Sequence, residues 1–225
     1  MSFHFGLPEA ALLRRVKSWG SRVLSSATTL AEALWLQAQG VDAVIAQGLE
    51  AGGHRGHFLS HDLSEQMGTF ALVAQLSQAL HIPVIAAGGV ANTQAVRAAL
   101  SLGAQAVQVG TAFLLCPEAR TSALHRAHLQ DPNAATELTR LFSGGLARGL
   151  VNRLMRELGP RNEAAPPFPL ATAALAPLRA EAEALGRDDF TPLWSGTKRH
   201  GLRARPAAEV VAALAVGLEG RAGPG

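Results

Sequence analysis

The sequence predicts an α/β fold built on a parallel sheet, and three observations carry that expectation. Short apolar runs recur along the first half of the chain without the polar alternation of a half-exposed sheet, so both faces are expected to be covered. Segments with helical spacing separate the runs, as right-handed crossovers between parallel strands require. Glycines follow the runs directly, in Gln47-Gly48, Gly88-Gly89 and Gly110, where a backbone without Cβ can come close to a ligand.

Taken in order, residues 2–6 read as a strand, and the segment to Trp19 as a helix whose apolar face is Leu12, Leu13, Val16 and Trp19. A second strand is expected at 22–26, a helix at 30–39 closed by Gly40, and a third strand at 42–46. A helix over 67–80 leads to the fourth strand at 83–87, and an Ala-rich helix to the fifth at 106–109. Gly40-Val41-Asp42-Ala43 and Gly103-Ala104-Gln105-Ala106 repeat the same helix-end and strand-start, a βα unit used more than once. A complete barrel of such units has eight strands over about 250 residues. Five strands leave two architectures open: an open doubly wound sheet, or a barrel without its first part.

After Thr111 the composition shifts. Residues 118–128 and 136–142 read as short helices, 146–158 as a longer amphipathic helix, and 159–169 as a Pro-rich connection. A helix over 170–185 is expected to be interrupted near Pro177, and 207–218 reads as the last helix. The domain reading is therefore 1–115 for the sheet and its binding loops, 116–220 for a helical segment or lid with closing helices, and 221–225 for a tail.

Composition excludes several classes of function. A chain of 225 residues with 48% apolar content can bury a sizeable core. Its 20 basic and 17 acidic residues give only +3, and the basic ones are scattered without interleaved aromatics, which argues against a nucleic-acid surface. The lone Cys116 rules out an internal disulfide and fits a reducing compartment. The start lacks the pattern of a secretory leader, and the apolar stretch 206–218 is short of the roughly 20 residues that span a bilayer. The expectation is a soluble cytoplasmic protein acting on a small molecule.

The most informative loop follows the third strand: Gln47-Gly48-Leu49-Glu50-Ala51-Gly52-Gly53-His54-Arg55-Gly56-His57-Phe58. Glycines flank His54 at the carboxyl end of a strand, where an imidazole can act as base or donor while a planar ligand lies against the backbone. Strand ends at Gly88-Gly89 and Gly110-Thr111, on the same edge of a parallel sheet, suit a phosphate. His57, His61 and His81 read as loop or surface residues. No second histidine stands at a ligand spacing within a helix, so no metal site is expected, and there is neither a Walker lysine nor a GxSxG elbow.

The combination AQGLEAGGHRG, PVIAAGGV and LGAQAVQVGTAF, with SFHFGLP before it and FSGGLARGLVNRLM, PPFPL, PLWSG and RPAAEVV after it, resembles the nitronate monooxygenase family of FMN-dependent TIM barrels. The resemblance spans nearly the whole chain and implies a partial (β/α)8 barrel of about five parallel strands, plus a C-terminal helical segment. It implies that Gln47 reaches the isoalloxazine edge, Gly52 lies beside the flavin, and Gly89 meets the phosphate. Gln108, Val109, Gly110 and Thr111 then form a second phosphate-binding turn. His54 is implied as the catalytic residue over the flavin, orienting a nitronate or taking the α-proton of a neutral nitroalkane. The implied reaction is oxidation of an alkyl nitronate, of the propionate 3-nitronate class, with molecular oxygen to a carbonyl compound and nitrite.

The resemblance also implies a barrel segment preceding Ser2, an arginine where this chain has Gly145, and a lid to which Trp194, Ser195 and Gly196 are candidates. Five strands alone leave sheet edges exposed, so a homo-oligomer or pairing with a missing N-terminal barrel segment is expected. Two other readings stay open: an NAD(P)H-dependent flavin reductase of the enoyl-thioester or quinone type, and a non-catalytic remnant of the family.

Overall fold

The computed structural model describes residues 1–218. In chain order the elements are β1 (Ser2–Phe3), α1 (Ala10–Ser18), β2 (Leu24–Ala27), α2 (Leu30–Ala38), β3 (Ala43–Gln47) and β4 (Gly53–His54). There follow α3 (Thr69–Ala79), β5 (Val84–Ala87), α4 (Thr93–Ser101), β6 (Ala106–Gln108) and α5 (Ala123–Gln130). The remainder is β7 (Thr136–Thr139), β8 (Ala147–Leu150), α6 (Arg153–Leu158), α7 (Leu170–Ala184) and α8 (Ala207–Ala215). Among the described residues, no helix is long and apolar enough to cross a membrane.

The chain forms two compact units. The first takes residues 1–50, 56–109 and the C-terminal helix from 211; the second takes 51–55 and 110–210. These bounds differ from a division at 115, because the His54 strand falls in the second unit and the chain returns to the first from residue 211, within α8.

In the first unit five parallel strands run in the order β1-β2-β3-β5-β6. Every residue of β3 is buried, as a strand covered on both faces must be. Leu36, Val44, Ala46, Leu72, Leu76 and Ala86, all at 0% exposure, form the centre of the core between sheet and helices. The strand at 2–6 stops at Phe3, because Phe5 at φ 64° and Gly6 at φ 84° turn the chain away from the sheet. The run at 106–109 is not buried: Ala106 and Gln108 are exposed, since β6 is an edge strand.

Glu32 at 1% exposure organises this unit from α2. One carboxyl oxygen accepts from the Thr28 amide (2.7 Å) and hydroxyl (2.8 Å), the other from the amides of Phe58 (2.6 Å) and Leu59 (3.2 Å). It ties the chain after the His54 loop back to the start of α2. The helix α8 packs on α4: the Thr93 hydroxyl donates to the Ala213 carbonyl at 2.8 Å, and a Cβ on Gly217 would come within 2.7 Å of Val96.

The second unit contains a three-stranded antiparallel sheet, β4-β8-β7, where only helices were expected. Residues 136–142 are not a helix but β7 and a turn, and 146–158 divides into β8 and the shorter α6. Gly149 gives the reason for the second change: its missing side chain lets Leu193 and Trp194 lie against β8, with a Cβ reaching 3.0 Å from the Leu193 carbonyl. Glycine weakens a helix, and here a strand partner is at hand. Asn152 then starts α6, its side-chain oxygen accepting from the Met155 amide while its nitrogen donates to the Asp188 and Thr191 carbonyls.

The helix expected from 118 begins only at Ala123. The Arg126 guanidinium holds the preceding turn open by donating to the carbonyls of Leu115, Cys116, Ala119 and Thr121. α7 runs unbroken through Pro177, which removes one amide donor without ending the helix. Two apolar clusters form the core here, one around Leu115, Leu129, Leu150 and Leu193, the other around Leu141, Phe142, Leu154 and Met155. The tail expected at 221–225 lies outside the described residues.

Candidate functional site

In the first unit the strand register aligns the expected ligand turns. Gln47 pairs with Ala87, and Ala87 with Gln108, so the carboxyl ends of β3, β5 and β6 lie level on one edge. Neighbouring strands are about 4.8 Å apart, which spreads this edge over roughly 10 Å. Gly89 follows β5 at φ 67°, a conformation that disfavours any side chain, and its amide has no hydrogen-bond partner among the described residues. The methylenes of Glu50 pack beside Gly89, while the Glu50 carboxyl group turns to the start of α3 and accepts from the Thr69 amide (2.8 Å) and hydroxyl (2.9 Å). Gln47 is buried, and its side-chain oxygen accepts from the Gly56 amide at 2.7 Å. Gln47 therefore also anchors the loop that leaves β3.

In the second unit Gly110 is exposed, and a Cβ placed on it would meet nothing within 4 Å. The amides of Gly110 and Thr111 make no hydrogen bond among the described residues. The Thr111 hydroxyl oxygen accepts from the Gly196 amide at 2.9 Å, which leaves its own proton to be donated. Gly52 has a different reason to be glycine: a Cβ there would fall 2.4 Å from the Gly196 nitrogen and 2.5 Å from the Ser195 carbonyl carbon. The close approach at Gly52 is thus made by the 195–196 backbone.

His54 is held by β4, whose backbone pairs with Ala147 of β8. Its Nε2 lies 2.8 Å from the hydroxyl of Ser143, which is itself 5% exposed. That hydroxyl is also 3.2 Å from the Gly145 carbonyl and 3.3 Å from the Gly145 amide. One assignment satisfies all three contacts: the Ser143 proton goes to the Gly145 carbonyl, and the Gly145 amide and a protonated Nε2 donate to Oγ. The imidazole stands between the rings of Trp194, 5.4 Å away, and Phe168, 5.6 Å away. Trp194 in turn meets Phe142 edge-on at 5.8 Å.

Ser143 and Phe168 were not singled out from the sequence. Ser143 lies 89 residues from His54, and only the glycine pair after it marked the turn. His57 is buried rather than a surface residue, bonded to His61 and Gln66 at 3.1 Å each. Among the described residues no group of three or more His, Cys, Asp or Glu could hold a metal ion.

Comparisons with known proteins bear on these features. Residues 1–217 match the nitronate monooxygenase family. A nitronate monooxygenase of Pseudomonas aeruginosa is 45% identical over 98% of this chain and 63% of its own length. A probable nitronate monooxygenase of Bacillus subtilis is 41% identical over 87% of this chain and 56% of its own. Among solved structures, nitroalkane oxidase from Streptomyces ansochromogenes superposes with a TM-score of 0.88 at 42% identity, covering 96% of this chain and 63% of that one. FabK from Thermotoga maritima superposes at 0.70 with 25% identity, over 96% of this chain.

The parallel α/β unit is thus part of a (β/α)8 barrel. The chain belongs to the nitronate monooxygenase family and spans about three fifths of the length of the curated relatives it matches. The family is FMN-dependent.

Proposed function

We propose that this chain takes part in FMN-dependent oxidation of alkyl nitronates by molecular oxygen, giving a carbonyl compound and nitrite. The observation that carries this reading is His54, anchored at Nε2 by Ser143 and flanked by Trp194 and Phe168, in a chain of this family. When bound, FMN supplies the electron-accepting chemistry, and the protein supplies placement and polarity.

The residues fit such a group in kind. Amides at Gly89, Gly110 and Thr111 without partners among the described residues, and the Thr111 hydroxyl proton, are the donors that phosphate oxygens take up without a lysine. We assign Gln47, Gly89, Gln108 and Val109 of the first unit, and Gly52, Gly110 and Thr111 of the second, to FMN. His54 orients an anionic nitronate, or accepts the α-proton when a neutral nitroalkane is the substrate. Its contact with Ser143 holds the ring for either role.

A second reading, an NAD(P)H-dependent flavin reductase, draws on the likeness to FabK; the 42% identity to nitroalkane oxidase against 25% to FabK favours the first. The experiment is to purify the chain, read its visible spectrum for stoichiometric FMN, and assay nitrite release from propyl 1-nitronate and propionate 3-nitronate without NADPH. Oxygen-dependent nitrite release is expected. In a His54→Ala variant we expect retained FMN and turnover lower by about a hundredfold or more; unchanged turnover removes His54 from the mechanism.

A further inference from the structure

We infer that Lys198 supplies the positive charge that balances a phosphate group seated at the Gly110-Thr111 turn. The inference rests on the FMN reading of that turn and adds to it a residue from much later in the chain. The turn offers two amides without partners among the described residues and one hydroxyl proton, all of them neutral donors. A phosphate monoester carries close to two negative charges at neutral pH. Neutral donors can hold its oxygens, but a charged donor binds them about twice as strongly and offsets the charge as well.

A pinned strap within the second unit brings cations to the turn. The Gly196 amide donates to the Thr111 hydroxyl oxygen at 2.9 Å, which fixes the start of the strap. Arg199 donates to the carbonyls of Leu129 (3.4 Å) and Asp131 (3.1 Å) at the end of α5, and Leu202 packs on the cluster of Leu115, Leu129, Leu150 and Leu193. The Ala207 amide then donates to a Glu118 carboxyl oxygen at 3.0 Å. Both ends of the strap are therefore tied to the short stretch of chain that begins at the turn.

Charge along the strap is of one sign. Residues 196–206 include Lys198, Arg199, Arg203 and Arg205 and no acidic residue. None of these cations forms an ion pair among the described residues. The carboxylates at hand are engaged elsewhere, Glu118 by the Ala207 amide and Asp131 by the Asn133 amide at 2.9 Å. Arg199 is committed to carbonyls, and Arg203 and Arg205 lie beyond Leu202, on the side of the strap that ends at Glu118. Lys198 is half-buried, makes no side-chain hydrogen bond among the described residues, and stands two residues from Gly196. Two residues span at most about 7 Å, and the flexible four-carbon stem of a lysine extends that reach to a phosphate on the turn. The same charge farther along the strap is weakened by distance and by salt.

The test titrates the whole chain, freed of flavin by dialysis, with FMN and with riboflavin, which lacks the phosphate, and follows flavin fluorescence at low and at high salt. We expect Lys198→Gln to weaken FMN binding by about tenfold, to leave riboflavin affinity unchanged, and to flatten the salt dependence of FMN binding. Lys198→Arg, which keeps the charge, holds FMN affinity to within about threefold of the unmodified chain. Arg205→Gln, which removes a charge at the other end of the strap, changes it by less than about twofold. Unchanged FMN affinity in Lys198→Gln, or an equal loss for riboflavin, overturns the role of Lys198 and leaves the FMN reading standing. An unmodified chain that binds FMN no more tightly than riboflavin overturns the phosphate assignment at Gly110-Thr111 and the inference with it.

Discussion

Glycines in this chain serve different purposes, and substitution separates them. A methyl group at Gly52 collides with the backbone of Ser195 and Gly196 at 2.4–2.5 Å, so the chain itself requires the glycine. We expect Gly52→Ala to lower stability by about 1–3 kcal/mol, read from urea unfolding. Gly110 has open space where a Cβ would go and φ of −113°, so Gly110→Ala changes stability by no more than about 0.5 kcal/mol. If the turn receives a phosphate as we propose, the same variant weakens FMN binding; unaltered FMN affinity, measured by flavin fluorescence, removes Gly110 from that role. His125 makes a separate prediction. Burial pushes its pKa below the usual 6.5, the Trp194 carbonyl pulls the other way, and the charge of His128 adds to the lowering. Its Nε2 is buried without a partner among the described residues. A folded-state pKa below the unfolded value means that the unfolded chain takes up the proton first. The stabilising contribution is then complete above about 6.5 and is lost as the pH falls below that value. Urea midpoints measured from pH 8 to pH 5 should show this decline, and His125→Gln should flatten it.

At the scale of elements, buried polar contacts hold segments that apolar packing alone leaves loose. Glu32 accepts two hydrogen bonds from Thr28 at the start of α2 and two from the amides of Phe58 and Leu59, joining the two segments. Removing it strands the amides of Thr28 and Phe58 without a partner of comparable quality, and each unsatisfied buried group costs about 1–3 kcal/mol. Glu32→Ala is therefore expected to destabilise the first unit by about 3 kcal/mol in urea unfolding. It should also speed hydrogen exchange at the Phe58 and Leu59 amides; unchanged protection there would show that the loop is held by something else. The β4-β8 pairing works similarly in the second unit, since it determines which face His54 shares with Ala147 and so which ring neighbours it meets.

At the scale of the whole molecule, we propose that the outer strands of the parallel sheet can pair with a second chain. β1 and β6 end the strand order, and Ala106 and Gln108 on β6 are exposed. Exposed apolar side chains, among them Leu12, Leu34 and Trp35 on the first two helices and Trp19 just after the first, add to the surface available for association. Sedimentation velocity over a range of concentrations should show reversible self-association, and Ala106→Lys should reduce it. A monomer at all concentrations would mean that these edges attract no second strand.

Much of the first unit was legible in the sequence, because continuous apolar runs, helix-ending glycines and the spacing between them are local signals. The strands at 42–46 and 83–87 and the helix at 67–80 lie within a residue or two of their observed positions. The second unit was read less well. The run 146–158 has helical spacing, but β7 and β4 provide hydrogen-bond partners that no local pattern announces, and the strand prevails over residues 147–150. The sequence by itself determined an α/β chain with parallel strands, His54 in a glycine-rich turn, and the family likeness. Only the tertiary structure decided that Ser143 holds the imidazole, that Phe168 and Trp194 flank it, and that Gly52 is required by a crossing backbone. Those contacts join residues far apart along the chain, and their geometry exists only once antiparallel pairing has brought the segments together.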